Sequence, residues 1–235
     1  MSDIFDCRDE AQLLAGLRHA RRSIARGELV VLPTDTVYGV AADAFSPAAV
    51  AALLAAKGRG RQSPPPVLVS GAPMLAALVS EVPELVEQLI SEFWPGGLTI
   101  VLPSQPSLAW DLGETHGTVA VRMPDNRVTL DLIQDAGPLA VSSANLTGRP
   151  AATSVLEAER MLRSSVKVYL DDGPSSTGVA STIIDATALA RHEKDARVRV
   201  LREGAVSIER LRGVLGDALE SPASESPASE SDRTA

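Results

Sequence analysis

Cations and hydroxyls gathered into short, separated groups are the residues of this chain that could do chemistry. Lys57-Gly58-Arg59-Gly60-Arg61 puts three cations into five residues, spaced by glycines. Glycine lets backbone approach a ligand, lysine supplies a point charge and arginine a fork of donors, a set that suits a triphosphate. The same run also suits a solvated basic face at the end of a helix, where the dipole favours cations. It is not a Walker loop, because the pattern Gly-x-x-x-x-Gly-Lys-Ser/Thr does not occur. Arg122 ends the apolar run that starts at Thr118. From a rigid strand it can clamp a carboxylate or phosphate, or pair with an acidic neighbour. Two further groups, Pro33-Thr34-Asp35-Thr36-Val37-Tyr38-Gly39 and Ser142-Ser143-Ala144-Asn145-Leu146-Thr147-Gly148, crowd hydroxyls after apolar runs. They can hold phosphate oxygens, or they can simply satisfy the backbone of turns.

Regular elements must place these groups. An amphipathic helix is expected from about Glu10 to Arg26, stopped by Gly27, with a short apolar strand over Glu28–Leu32. Ser46-Pro47 makes an N-cap and first turn for an Ala-rich helix running to about Lys57. The stretch from Gly58 to Pro66, with three prolines, can be neither helix nor central strand. Strand-like runs recur at Val67–Val69, Leu98–Leu102, Thr118–Arg122, Leu139–Ser142, Val166–Leu170, Thr182–Asp185 and Val198–Leu201. Helical patterns fall between many of them, near Leu75–Val79, Glu84–Glu92, Arg127–Gln134, Val155–Arg163 and Ile208–Leu219. Strands that are apolar throughout and alternate with helices predict a single α/β domain, a twisted mixed sheet covered by helices, over residues 1–219. The polar groups above then sit at strand ends, where open α/β sheets bind ligands.

The repeat Ser221-Pro222-Ala223-Ser224-Glu225, followed at once by Ser226-Pro227-Ala228-Ser229-Glu230, predicts a disordered tail over 220–235. A net charge of −8 argues against coating nucleic acid by bulk electrostatics. With 3% aromatic residues there are few platforms for stacking bases. The lone cysteine, Cys7, can neither close an intrachain disulfide nor build a Cys-rich zinc site. The first ten residues are polar and acidic, and no apolar run nears the length of a membrane span, so a cytoplasmic protein is expected.

Taken in order, Pro33-Thr34-Asp35-Thr36-Val37-Tyr38-Gly39, the Lys57-x-Arg59 pair, Val121-Arg122-Met123-Pro124, Ser143-Ala144-Asn145 with Gly148, Ser181-Thr182-Ile183-Ile184-Asp185 and Leu201-Arg202-x-Gly204 resemble the signature segments of the YrdC-like domain family. The resemblance covers residues 10 to 215 and implies a short, single-domain L-threonylcarbamoyladenylate synthase. Such enzymes condense L-threonine, bicarbonate and ATP to threonylcarbamoyl-AMP and pyrophosphate, and threonylcarbamoyl-transferase complex proteins pass the group on to tRNA. A contact with tRNA is implied, and none with membrane. By the match, Thr36, Arg122, Ser143 and Ser181 hold threonine, with Ser70 at the position where many relatives carry a histidine. Lys57, Arg59, Thr118, Asn145, Thr153 and Arg202 face ATP, with Lys57 and Arg59 as the catalytic cations. Mg²⁺ is expected with ATP, held mainly by phosphates and water; its protein ligands are not assigned. The loop over 60–66 is about two residues longer than in many relatives. The competing expectation is a family relative that binds nucleotide or RNA without synthase activity.

Overall fold

The computed structural model describes residues 3–220, so the expected tail lies, apart from Glu220, outside the described residues. The elements run β1 (Asp3–Asp6), α1 (Glu10–Ala25), β2 (Val30–Leu32), β3 (Gly39–Asp43), α2 (Pro47–Lys57) and β4 (Val67–Leu68). Then come α3 (Ala72–Leu78), α4 (Glu84–Phe93), β5 (Leu98–Pro103), β6 (Thr118–Arg122), α5 (Arg127–Ala136) and β7 (Leu139–Ser143). The chain continues through α6 (Val155–Leu162), β8 (Val168–Asp171), β9 (Thr182–Asp185), α7 (Thr187–Ala190), β10 (Arg199–Arg202) and α8 (Ile208–Leu215).

All ten strands join one sheet in the order β1-β8-β2-β3-β7-β4-β6-β5-β9-β10. The sheet is mixed, as expected: β1 and β2 run parallel to β8, and β4 to β6, whereas β3–β7 and β5–β6 are antiparallel. Local chemistry fixes the helix ends. Asp9 and Ser46 cap α1 and α2 by accepting from the backbone N–H of Gln12 and Ala49. Gly58 closes α2 in the left-handed region at φ 65°, a conformation glycine adopts without a Cβ penalty. Two strands are absent from the sequence reading. The run Gly39–Asp43 is small and Ala-rich and lacks a β signature, yet it pairs on both sides, with β2 and β7. The run Asp3–Asp6 is an edge strand with an acid at each end.

One face of the sheet is fully clad. Leu98, Ile100, Val121 and Ile184 from the strands pack there against α3, α4 and α8, while Val40 and Ala42 pack against α2 and α6. On the opposite face α1 and α5 cover Val30, Leu32, Ala41, Leu139, Val141, Val168 and Leu170, as far across as Leu68 on β4. Beyond β4, positions of the same face are Ala120 and Ile183, both half-buried. The expectation of a sheet covered by helices therefore holds for one face and for half of the other. The uncovered part is where the cleft lies. Among the described residues no helix is long and apolar enough to cross a membrane.

Candidate functional site

Across the uncovered face runs a cleft of about 420 Å³, with Leu68, Ala120 and Ile183 on its floor. Strand ends bring its polar walls together. The turn after β2 contributes Thr34 and Thr36, the end of β6 Arg122, the end of β7 Ser142, Ser143 and Asn145, and the approach to β9 Ser181. Arg59, Arg149 and Arg202 complete the lining, which among the described residues holds four arginines and no carboxylate. A chain of net charge −8 thus keeps a cationic cleft.

Arg122 is the best-anchored of these cations. It is 6% exposed; its Nε donates to Gly96 O at 2.8 Å, Nη1 to Thr36 Oγ1 at 2.8 Å and Nη2 to Asp35 Oδ1 at 2.5 Å. A guanidinium has five N–H donors, so two are left without a partner among the described residues. Burial pushes its ionisation down from the ordinary arginine value, and the Asp35 carboxylate opposes that shift. Asp35 is also a hub of the backbone. Its carboxylate accepts from Asp125 N at 3.0 Å, and its carbonyl accepts from Ser176 Oγ and Thr177 Oγ1. The neighbouring Thr34 hydroxyl donates to Val37 O at 2.6 Å and meets Thr36 Oγ1 at 3.0 Å. Thr129 on α5 donates to Pro33 O at 2.5 Å and fixes the start of the turn.

On the far wall, Arg202 Nε and Nη2 donate to Ser181 O at 3.0 and 2.7 Å, and the Ser181 hydroxyl meets Thr99 Oγ1 at 2.8 Å. Burial, and then the charge of Arg59, push Arg202 down from the ordinary value. Arg59 crosses from α2 to Ser142 Oγ at 3.3 Å. Two like charges on one cleft wall favour an anion as their ligand.

The cationic run does not act as one group. Only Arg59 lines the cleft. Arg61 turns outward to a two-pronged pair with Asp111, at 3.0 and 2.8 Å, and its carbonyl accepts from Glu114 N at 2.8 Å. This pins the Pro-rich loop, whose Pro64 and Pro66 form part of the cleft wall. Lys57 lies beneath the cleft, 1% exposed. Its Nζ donates to Ser143 O, to Asn145 O at 2.8 Å and to Asn145 Oδ1 at 3.2 Å. Burial, and then Arg59, push this lysine down to about 8.

Of the residues expected from sequence, the structure therefore brings Thr36, Arg59, Arg122, Ser143, Asn145, Ser181 and Arg202 into one cleft. Four others do not line it. Lys57 is buried beneath. Thr118 begins β6 on the same face as Ala120 and Arg122, but its hydroxyl donates to Thr115 O at 2.8 Å. The Thr153 hydroxyl and N–H both donate to Glu157 Oε2, ahead of α6. Ser70 follows β4 just before α3. Sequence reasoning passed over Asp35, Thr99, Arg149 and the Gly96 carbonyl. Asp35 sat in a quoted motif but read as a turn residue, and the pairing of Trp94-Pro95-Gly96-Gly97 with Arg122 is a long-range contact with no local signal. No group of three or more His, Cys, Asp or Glu able to hold a metal occurs among the described residues.

Comparison with known proteins agrees with this geometry. The Sua5/YciO/YrdC family model, described as "Telomere recombination", matches residues 22–204. A Mycobacterium leprae protein provisionally named threonylcarbamoyl-AMP synthase is 50% identical over 216 residues, covering 92% of this chain and 95% of that protein. The threonylcarbamoyl-AMP synthase of Bacillus subtilis is 35% identical over 203 residues, 85% of this chain and 56% of that protein. The crystal structure of Pyrococcus abyssi Sua5 complexed with L-threonine superposes with a TM-score of 0.82 at 33% identity, over 92% of this chain and 61% of that one. The fold, the segments that build the cleft and these relatives agree, and the chain belongs to the Sua5/YciO/YrdC family.

Proposed function

We propose that the cleft condenses L-threonine, bicarbonate and ATP into threonylcarbamoyl-AMP and pyrophosphate, the activity named for the relatives at 35–50% identity. The observation that carries this reading is the lining itself: four arginines, several hydroxyls, and no carboxylate, histidine or lysine. Such a set binds anions and offers no general base or nucleophile in place. The reaction fits that inventory. Bicarbonate yields CO₂ and hydroxide, the neutral threonine nitrogen adds to the CO₂ carbon, and its proton passes to the hydroxide, giving a carbamate and water. A carbamate oxygen then attacks the α-phosphorus in line, the bond to the β-phosphate breaks, and pyrophosphate leaves. Holding the two substrates in register and neutralising phosphate charge supply most of the acceleration.

Placement supports the following residue roles. Arg122, with two donors to spare and Asp35 and Gly96 holding its plane, takes the threonine carboxylate in forked geometry. Thr36, Ser143 and Ser181 surround the amino acid, and Ser70, just outside the cleft, closes that end only if its loop moves inward. Arg59 and Arg202 face the phosphates beside the turn that Asn145 holds, while Thr118 and Thr153 reach the nucleotide only if their hydroxyls leave Thr115 O and Glu157. Among the described residues the lining has no acidic oxygen to ligate a metal, so Mg²⁺ arriving with ATP would be held by phosphate oxygens and water and would neutralise phosphate charge. The product is an activated carbamate for cytoplasmic transfer proteins that modify tRNA.

The test is pyrophosphate release by the purified protein given ATP and bicarbonate. Release that requires L-threonine, and that glycine or serine fail to support equally, is expected. Release that ignores the amino acid defeats the reading.

A further inference from the structure

We propose that Lys57 is a positioning residue for the turn from Ser143 to Arg149, and that it touches no phosphate. The inference deepens the function proposed above and rests on it for its kinetic arm. An ammonium has three donors. Lys57 Nζ has three oxygen acceptors within the protein, Ser143 O, Asn145 O and Asn145 Oδ1, and the residue is 1% exposed. A fourth link comes from the backbone: Thr147 N donates to Lys57 O at 3.0 Å. The end of α2 thus grips the turn after β7 by both side chain and main chain.

The grip also orients Asn145. With Oδ1 committed to the ammonium, its Nδ2 is directed to Arg149 O at 2.7 Å and Leu146 O at 3.1 Å. Arg149 and Ser143 both line the cleft. One buried charge therefore sets the placement of three lining residues, Ser143, Asn145 and Arg149. Burying a lysine for this is costly unless its hydrogen bonds are complete, and here they are. The neighbouring Gly58 turns the chain so that Arg59, one residue further on, emerges into the cleft instead.

The test has two arms. In the wild-type protein without nucleotide, labelled with nitrogen-15 lysine at mildly acidic pH, one ammonium resonance in slow exchange with solvent is expected. Lys167 and Lys194, both exposed, exchange too fast to appear. Adding the non-hydrolysable analogue AMP-PNP with Mg²⁺ leaves that resonance near its place. Absence of the resonance, or a large shift on adding nucleotide, overturns the proposal. In the second arm, Lys57→Met and Asn145→Ala each lower kcat/KM for ATP by about 10- to 100-fold, and the double variant is no worse than the poorer single one. Losses that multiply indicate two independent phosphate contacts and overturn the proposal. Full ATP use in Lys57→Met with loss in Arg59→Ala refutes this inference alone, whereas full ATP use in both refutes the ATP reading.

Discussion

Arg122 spends three donors on the protein and keeps two, and the three it spends decide what the two can do. Asp35, Gly96 O and Thr36 fix the guanidinium plane, so its free edge is presented in one orientation. A lysine at this position would keep the charge and lose the fork. Arg122→Lys should raise the KM for threonine about tenfold or more while the KM for ATP changes little. A variant whose defect lies in ATP alone would reverse the assignment of the two ends of the cleft. Lys57 gives a residue-scale prediction of another kind. Its native value near 8 lies below the 10.5 of an ordinary lysine, so between those limits the unfolded chain binds more protons than the native one. The contribution of Lys57 to stability therefore rises with pH across that window and is lost as pH falls through 8. Burial pushes Cys7, Tyr38 and Tyr169 up, which opposes this slope in both proteins, so the difference carries the test: urea unfolding over this range should show the wild type gaining stability relative to Lys57→Met as pH rises, and parallel curves would contradict it.

At the scale of elements, the cleft depends on close approaches between strand ends, and two glycines separate them by kind. A Cβ on Gly204 would lie 2.1 Å from Ala180 O and 2.8 Å from Ser181 C, so the segment carrying Arg202 would have to leave the segment carrying Ser181. Gly58 has nothing within 4 Å, and only its φ of +65° resists a side chain. Gly204→Ala should cost about 1–3 kcal/mol or more through overpacking and weaken ATP use with it. Gly58→Ala should cost only about 1 kcal/mol, the conformational penalty of an alanine at positive φ. Thermal unfolding of both variants checks the order, and a larger loss for Gly58→Ala would contradict it. Elements with strong local signals were legible in the sequence. The strands over Thr118–Arg122 and Thr182–Asp185 fall where their apolar runs stand, and the Ser46 cap and Gly58 stop bound α2 as composition required. Gly39–Asp43 was not legible, because its strand state comes from two pairing partners and not from propensity. The fate of Lys57 and Arg61 was equally hidden: adjacency in sequence says three cations, and only the turn at Gly58 and the distant Asp111 and Asn145 say that one faces the cleft.

For the whole molecule, what matters is a sheet clad on one face and half-clad on the other. α1 and α5 stop at β4, and the bare half of that face gains its polarity from residues contributed by five separate strand ends or turns. A ligand-sized space arises because no helix is supplied there, while its charge opposes that of the chain as a whole. That combination suits an enzyme that draws a triphosphate and a carboxylate together and keeps other parts of its surface acidic. Carbamoylation and simple adenylation of an amino acid both consume ATP and release pyrophosphate. Incubation with ATP, L-threonine and carbon-13 bicarbonate, followed by mass spectrometry of the nucleotide products, distinguishes them most directly. The account predicts an AMP adduct that carries both threonine and one labelled carbon. A threonine–AMP adduct without the label, or no adduct at all, would contradict it.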